Sequence, residues 1–358
     1  MSVACTRWAG GIGLACVRGS NEPTNGFSAT KKSCRPADHE RAWISMHRVL
    51  LTGAGGFVGS HLARLLLAEG QEGMALISPS TNRWRLRDIE SRLSILDSDL
   101  TNLAALGDRL RAFRPDVCLH MAWHGWAGQT APDENLTSLA VSLELLKLMS
   151  SLRCERFVAA GTCFEYDVRH EWLSEKTPLG PHNVYGACKK AMFEIAQEFA
   201  ALTGIRVLTP RLFYSYGPYE PARRIVASII RTVLGGGTAK VTPGQQIRDY
   251  LHIEDVASAI WTATQSPVTG AVNIASGEPV TIAEVATTLG QLLGKPDRVE
   301  IGAIGYQEGD PMRVAGDATL LRRETGWSPR FGLRDGLANA VAWWEAWSTQ
   351  SAVGASGS

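Results

Sequence analysis

Arg48-Val-Leu-Leu-Thr52-Gly53-Ala-Gly-Gly56-Phe-Val-Gly59-Ser-His-Leu62 decides the fold of this chain. The stretch before Gly53 is a short apolar, β-forming run, and residues 57–69 then repeat apolar side chains at helical spacing. Glycines at 53, 56 and 59 join the two. In that setting the first permits a tight turn, the second lets backbone approach a pyrophosphate, and the third permits close helix–strand packing. The helix start favours phosphate charge through its free N–H groups. The spacing is GxxGxxG, one residue from the GxGxxG pattern, and a glycine-rich turn without a ligand is the alternative reading.

Working outward, apolar runs at 48–52, 74–78, 93–96, 117–121, 157–160, 207–212 and 272–274 alternate with helical patterns. Those patterns cover 57–69, 103–113, 134–152, 184–203, 255–264, 282–293 and 333–347. Such alternation predicts an α/β protein built on a Rossmann-type, doubly wound parallel sheet. After Arg211 it loosens into Gly- and Pro-rich connections such as Tyr216-Gly-Pro and Leu234-Gly-Gly-Gly. We therefore expect a dinucleotide-binding domain over 46–212 plus about 256–275, and a smaller α/β C-terminal substrate lobe over 213–255 plus 276–348. Residues 1–45 lack sustained periodicity and are expected to be a disordered extension or a mis-assigned start, and 349–358 a flexible tail.

The 358 residues are 45% hydrophobic and 20% charged, with net charge +1, ordinary for a globular enzyme. That balance gives no reason to expect a nucleic-acid or membrane partner, and no apolar run is long enough to span a bilayer. Seven cysteines show neither zinc nor CxxC spacing, so reduced thiols, a cytoplasmic location and no metal site are expected.

The second strand informs on the cofactor. A free ribose 2′-hydroxyl is usually met by Asp or Glu about 20 residues beyond the glycines, but here the chain reads Ile77-Ser-Pro-Ser-Thr-Asn-Arg83-Trp-Arg85. Arg83, assisted by Ser80 or Arg85, suits a 2′-phosphate, which favours NADP(H) over NAD(H). A solvated arginine loop is the alternative. Asp99-Leu100 stands where an adenine edge would lie, with a helix cap as the other reading of Asp99.

Downstream, Tyr185-Gly-Ala-Cys-Lys189 puts tyrosine and lysine on one helix face. An ammonium there would draw the tyrosine's pKa toward working pH and make it an acid/base for a carbonyl or alcohol. Thr162, in Gly161-Thr-Cys-Phe-Glu165-Tyr166, could bond the same oxygen. Cys163 and Cys188 read as packing. Trp123, His124 and Trp126 follow the fourth strand and either wall the pocket or pack, with His124 a weaker candidate for a second acid/base.

These motifs stand in an order that resembles extended short-chain dehydrogenase/reductases of the nucleotide-sugar epimerase/dehydratase type. The matching segments are TGAGGFVGSHL (52–62), SDL (98–100), LHMAW (119–123), GTCFEY (161–166), YGACK (185–189), PRLFYSYGP (210–218), RDYLHIEDVASAI (248–260) and GDATLLRRETGWSP (316–329). The resemblance implies that Tyr185 is the acid/base, that Lys189 binds the nicotinamide ribose, and that Thr162 orients the sugar oxygen. It places the cofactor against Gly53, Gly56, Phe57, Val58, Gly59, Met121 and Ala122, and the substrate against Thr162, Cys163, Arg248 and Arg313. Arg248 would meet the diphosphate, or else form a surface pair with Asp249 or Asp255. A homodimer through helices 134–152 and 184–203 is also implied.

Departures bear on the reaction. Phe213-Tyr214-Ser215 stands where relatives carry Asn before YGP, and Gln307 replaces an arginine ahead of Gly309-Asp310. Where 4,6-dehydratases place Asp-Glu after the threonine, this chain has Cys163-Phe164, so dehydration is disfavoured. The missing carboxylate after the second strand tips the expectation toward reduction of an NDP-4-keto-6-deoxyhexose by NADPH. The alternative is a 4-epimerase holding NAD; a non-catalytic NADP-binding protein is less favoured.

Overall fold

The structure, a computed structural model, describes residues 47–124 and 132–355. The expectations for residues 1–45 and for Trp126 lie outside the described residues.

The glycine turn links β1 (Arg48–Thr52) to α1 (Phe57–Ala68), followed by β2 (Glu72–Ile77), β3 (Ser94–Asp97), α2 (Leu103–Phe113) and β4 (Val117–His120). Next come α3 (Pro132–Ser151), β5 (Arg156–Ala159), the two-residue β6 (Gly161–Thr162) and β7 (Trp172–Leu173), then α4 (Val184–Thr203) and β8 (Arg206–Leu212). After β9 (Tyr214–Tyr216), α5 (Ile225–Leu234), β10 (Ala239–Val241), β11 (Ile247–Arg248) and β12 (Tyr250–His252), α6 (Ile253–Gln265) leads into β13 (Gly270–Ile274).

Seven strands align in the order β13-β8-β5-β4-β1-β2-β3, with β6 also pairing β8. All of these pairings are parallel. Strand order reverses between β1 and β4, the crevice where ligands of such sheets bind. The sheet is buried on both faces, which is why its strands read as apolar runs. Val49 and Leu51 face α1 and α6, while Leu50 faces a second core shared with α2, α3 and α4, the alternation a strand imposes. Every strand of this sheet named above except β6 was legible as an apolar run. Arg156, fully buried on β5, donates to the carbonyls of Ser266 and Ala263 at 2.5 and 3.2 Å and so ties the end of α6 to the sheet.

The remainder consists of β14 (Val280–Thr281), α7 (Ile282–Leu292), β15 (Val299–Ile301), β16 (Arg313–Gly316), α8 (Thr319–Thr325) and α9 (Leu333–Ala355). Together, α5, α7 and α9 enclose a separate apolar core with β10. The expectation of loose connections after Arg211 fails over α5, where Val226, Ala227, Ile229, Ile230 and Val233 bury one helical stripe. Helix α9 continues through residues expected to form a tail, as far as Ala355.

Candidate active site

A cavity of about 950 Å³ opens at the carboxyl end of the sheet, running from the glycine turn to α5, β10 and β11. At its first end, Gly53 adopts φ +73°, and a Cβ there would lie 2.6 Å from the Ala122 amide nitrogen. A Cβ on Gly59 would overlap the Gly53 carbonyl oxygen. No side chain caps the start of α1, so its first-turn amides stand open beside Gly56, Phe57 and Val58, all in the cavity wall. An uncapped helix start behind a turn with no room for side chains fits a dinucleotide pyrophosphate.

Other proposed cofactor residues sort differently. Met121 lines the cavity; Ala122, Asp99 and Leu100 do not. Asp99 caps the turn at Leu100–Asn102, accepting from the Thr101 amide at 2.9 Å and from the Ser78 hydroxyl at 3.0 Å. The Arg83 guanidinium pairs with Glu90, at 3.2 Å, and with Asp97, and it does not line the cavity. Arg85 does line the cavity. It donates to the Tyr219 carbonyl at 2.9 Å and stacks on Trp84, and burial draws it down to about 10.

Thr162, Tyr185 and Lys189 come together in the cavity wall. Asn183 caps α4 by accepting from the Gly186 amide at 2.8 Å, which fixes the first turn that carries Tyr185. The Thr162 hydroxyl oxygen accepts from the Phe164 amide at 3.3 Å, and Thr162 reaches the Tyr185 hydroxyl as a hydrogen-bond partner. Lys189 is buried, and its ammonium donates to the Ala160 carbonyl at 2.8 Å while lying 3.8 Å from the centre of the Trp123 ring. The expected lowering of the tyrosine pKa is not found. Burial raises Tyr185 above its ordinary value, and burial also draws Lys189 down to about 7. The ammonium sits 5.9 Å from the Tyr185 ring centre, with its nearest interactions directed to Ala160 and Trp123.

Glu165 does not face the cavity. Its carboxylate accepts from the Thr162 amide at 2.8 Å and from Arg211 at 2.8 Å, with both ion-pair side chains essentially inaccessible. Cys163 is buried, and burial pushes its thiol up to about 12, so it stands neutral beside Phe164.

Arg248 lines the far part of the cavity and pairs with Asp310 at 2.7 Å, not with Asp249 or Asp255. Asp249, on the alternate face, accepts from Ser276, Gly277 and Gly316. Asp255 receives the amides of Arg330 and Phe331. Arg313 is paired in register with Ile247, one residue out of phase with Arg248, and does not line the cavity. His124 is exposed beside Ser138 and also lies off the cavity wall.

Sequence reasoning passed over Glu220. It is buried in the cavity wall, one carboxyl oxygen has no hydrogen-bond partner, and burial raises it to about 8. A carboxylate in the otherwise apolar Tyr216-Gly-Pro-Tyr219 context was the available signal.

This fold has clear relatives. Residues 49–275 match the model of the NAD dependent epimerase/dehydratase family, and the chain belongs to that family. It is 25% identical over 313 residues to a UDP-glucuronate 4-epimerase of Thermodesulfobacterium geofontis, covering 82% of this chain and 95% of that one. It is 25% identical over 331 residues to a dTDP-glucose 4,6-dehydratase of Haemophilus influenzae, covering 84% and 98%. Thermus thermophilus UDP-glucose 4-epimerase, solved in complex with NAD, superposes with TM-score 0.74 at 25% identity, covering 83% of this chain and 99% of that one.

Proposed function

We propose that this chain reduces the C4 ketone of a nucleotide-linked 4-keto-6-deoxyhexose, with NADPH favoured over NADH. The observation that carries the reading is the wall beside Thr162. Its next two residues are a neutral thiol and a phenyl ring, and the following carboxylate is locked against Arg211. The residues that follow Thr162 thus supply no free carboxyl for the extra proton transfers of dehydration.

Bound nicotinamide would supply the hydride. Tyr185, held protonated by burial, gives its proton to the developing C4 alkoxide, making the alcohol. Thr162, whose hydroxyl accepts from Phe164 and partners Tyr185, would turn its O–H to the same oxygen. Lys189 would meet a ribose hydroxyl and restore charge balance at Tyr185. Gly56, Phe57 and Val58 would hold the pyrophosphate. NADPH preference is supported by the lack of Asp and Glu in the sequence from Ser78 to Arg85 and by Arg85 in the cavity wall. Arg248 would meet the substrate diphosphate.

The second reading, a 4-epimerase, has the support of the epimerases among the relatives. Purified protein incubated with dTDP-4-keto-6-deoxyglucose and NADPH, followed at the reduced-nicotinamide absorbance, should oxidise NADPH in proportion to sugar. Interconversion of UDP-glucose and UDP-galactose without net NADPH consumption would replace reduction by epimerisation. We further propose a homodimer through α3 and α4, supported by exposed Leu136, Ile195 and Leu202. A monomer by light scattering would reject it.

A further inference from the structure

We propose that Trp123 is a positioning residue for Lys189, its indole face holding the ammonium charged and aimed beside Tyr185. The proposal rests on the redox role given above to Tyr185 and Lys189, and deepens it.

Four contacts carry it. The ammonium lies 3.8 Å from the Trp123 ring centre, inside the range of a strong cation–π contact. The same ring meets Tyr185 edge to face, with centroids 6.4 Å apart and planes at 83°. Its indole N–H donates to the Asn135 side-chain oxygen at 2.9 Å, and Asn135, on α3, is fully buried. The ammonium also donates to the Ala160 carbonyl at 2.8 Å. The lysine thus meets both a carbonyl and an aromatic face, and that face is itself held from α3.

A buried ammonium needs such a seat, because desolvation favours its neutral form. Among the described residues no carboxylate forms an ion pair with Lys189. The titratable groups that face it are Tyr185 on its own helix, His120 on β4 and Glu165 on the turn after β6. His120 is engaged by Thr52 and Ser142, at 2.7 Å each, and burial keeps it neutral, near 3. Glu165 is committed to Arg211. The indole quadrupole therefore joins the Ala160 carbonyl and the Coulombic pull of Glu165 in favouring the charged lysine. A desolvated cation–π contact weights the charged form by roughly tenfold or more.

The role has a direction. Removing the ring lowers the pH at which Lys189 loses its proton, so the alkaline limb of turnover moves down. The test uses the full chain and its Trp123→Leu and Trp123→Phe variants. Turnover is measured from pH 5.5 to 9.5 with dTDP-4-keto-6-deoxyglucose and NADPH, and NADPH binding is followed over the same range by nicotinamide fluorescence. Trp123→Leu should move the alkaline limbs of kcat and of NADPH affinity down by about one pH unit. Trp123→Phe, which keeps an aromatic face, should restore most of that shift. Limbs that coincide in Trp123→Leu and the parent, whatever the overall rate, would overturn the proposal. So would equal shifts in the two variants. Should Trp123→Leu fail to fold by circular dichroism, Asn135→Ala frees the ring instead; a smaller shift in the same direction supports the proposal and no shift overturns it. Were the parent to turn over no keto-sugar, the redox reading would fall, while the pH dependence of NADPH fluorescence would still decide the role of Trp123.

Discussion

Glu220→Gln should make this protein more stable in mild alkali while leaving it nearly unchanged in mild acid. Glu220 is 2% exposed, and its carboxyl is raised from 4.5 to about 8, chiefly by burial. Backbone amides of Ala227 and Gly217 and the nearby Arg224 pull the other way without overcoming it. The folded protein therefore binds a proton here that the unfolded chain has released between about pH 4.5 and pH 8. Stability falls as pH rises through that window and levels off above it. At about 1.36 kcal/mol per unit, the whole displacement is on the order of 5 kcal/mol. Roughly 3 kcal/mol of it should be lost between pH 5.5 and pH 8.5. Glutamine keeps the size and an acceptor oxygen but cannot ionise. Urea unfolding of parent and variant, followed by circular dichroism at those two pH values, should show a stability difference that grows by about 3 kcal/mol in the variant's favour. A difference independent of pH would refute the reasoning, since it would mean that the carboxyl ionises in the fold as it does in water.

Three further outcomes are expected. Gly59→Ala should abolish NADPH binding by fluorescence titration and lower the melting temperature, because its Cβ would overlap the Gly53 carbonyl; Gly73→Ala, with nothing within 4 Å, is the control and should be tolerated. Glu165→Gln should cost about 3–5 kcal/mol by chemical unfolding, since it leaves the buried Arg211 guanidinium uncompensated; a loss under about 1 kcal/mol would show that the pair is not desolvated. Tyr185→Phe should lower turnover by about 10²–10⁴ while NADPH affinity changes little, and near-normal turnover would remove the tyrosine from proton transfer.

The strands of the large sheet were legible because burial on both faces makes each a run of apolar residues, as in Val49–Leu51 and Phe157–Ala159. The glycine turn was legible because Gly53 and Gly59 admit no side chain, a constraint written locally in three letters. Helix α5 carried its apolar stripe openly, yet the surrounding Gly-Pro-rich connections masked it. The isolated short pairings of the smaller lobe, such as β11 with β14 and β16, are set by partners far along the chain and leave little local pattern.

Taken alone, the amino-acid sequence determined the alternation of strand and helix, the phosphate-ready turn, and a tyrosine and lysine on one helix face. Each of these is a matter of residues within a few positions of one another, where periodicity and steric room speak directly. The tertiary structure decided which partner each charge meets. Glu165 pairs with Arg211, Arg83 with Glu90 and Asp97, and Arg248 with Asp310, while Lys189 rests on Trp123. Those pairings join residues that only folding brings together, and their strength depends on burial, which no local pattern of polar residues encodes.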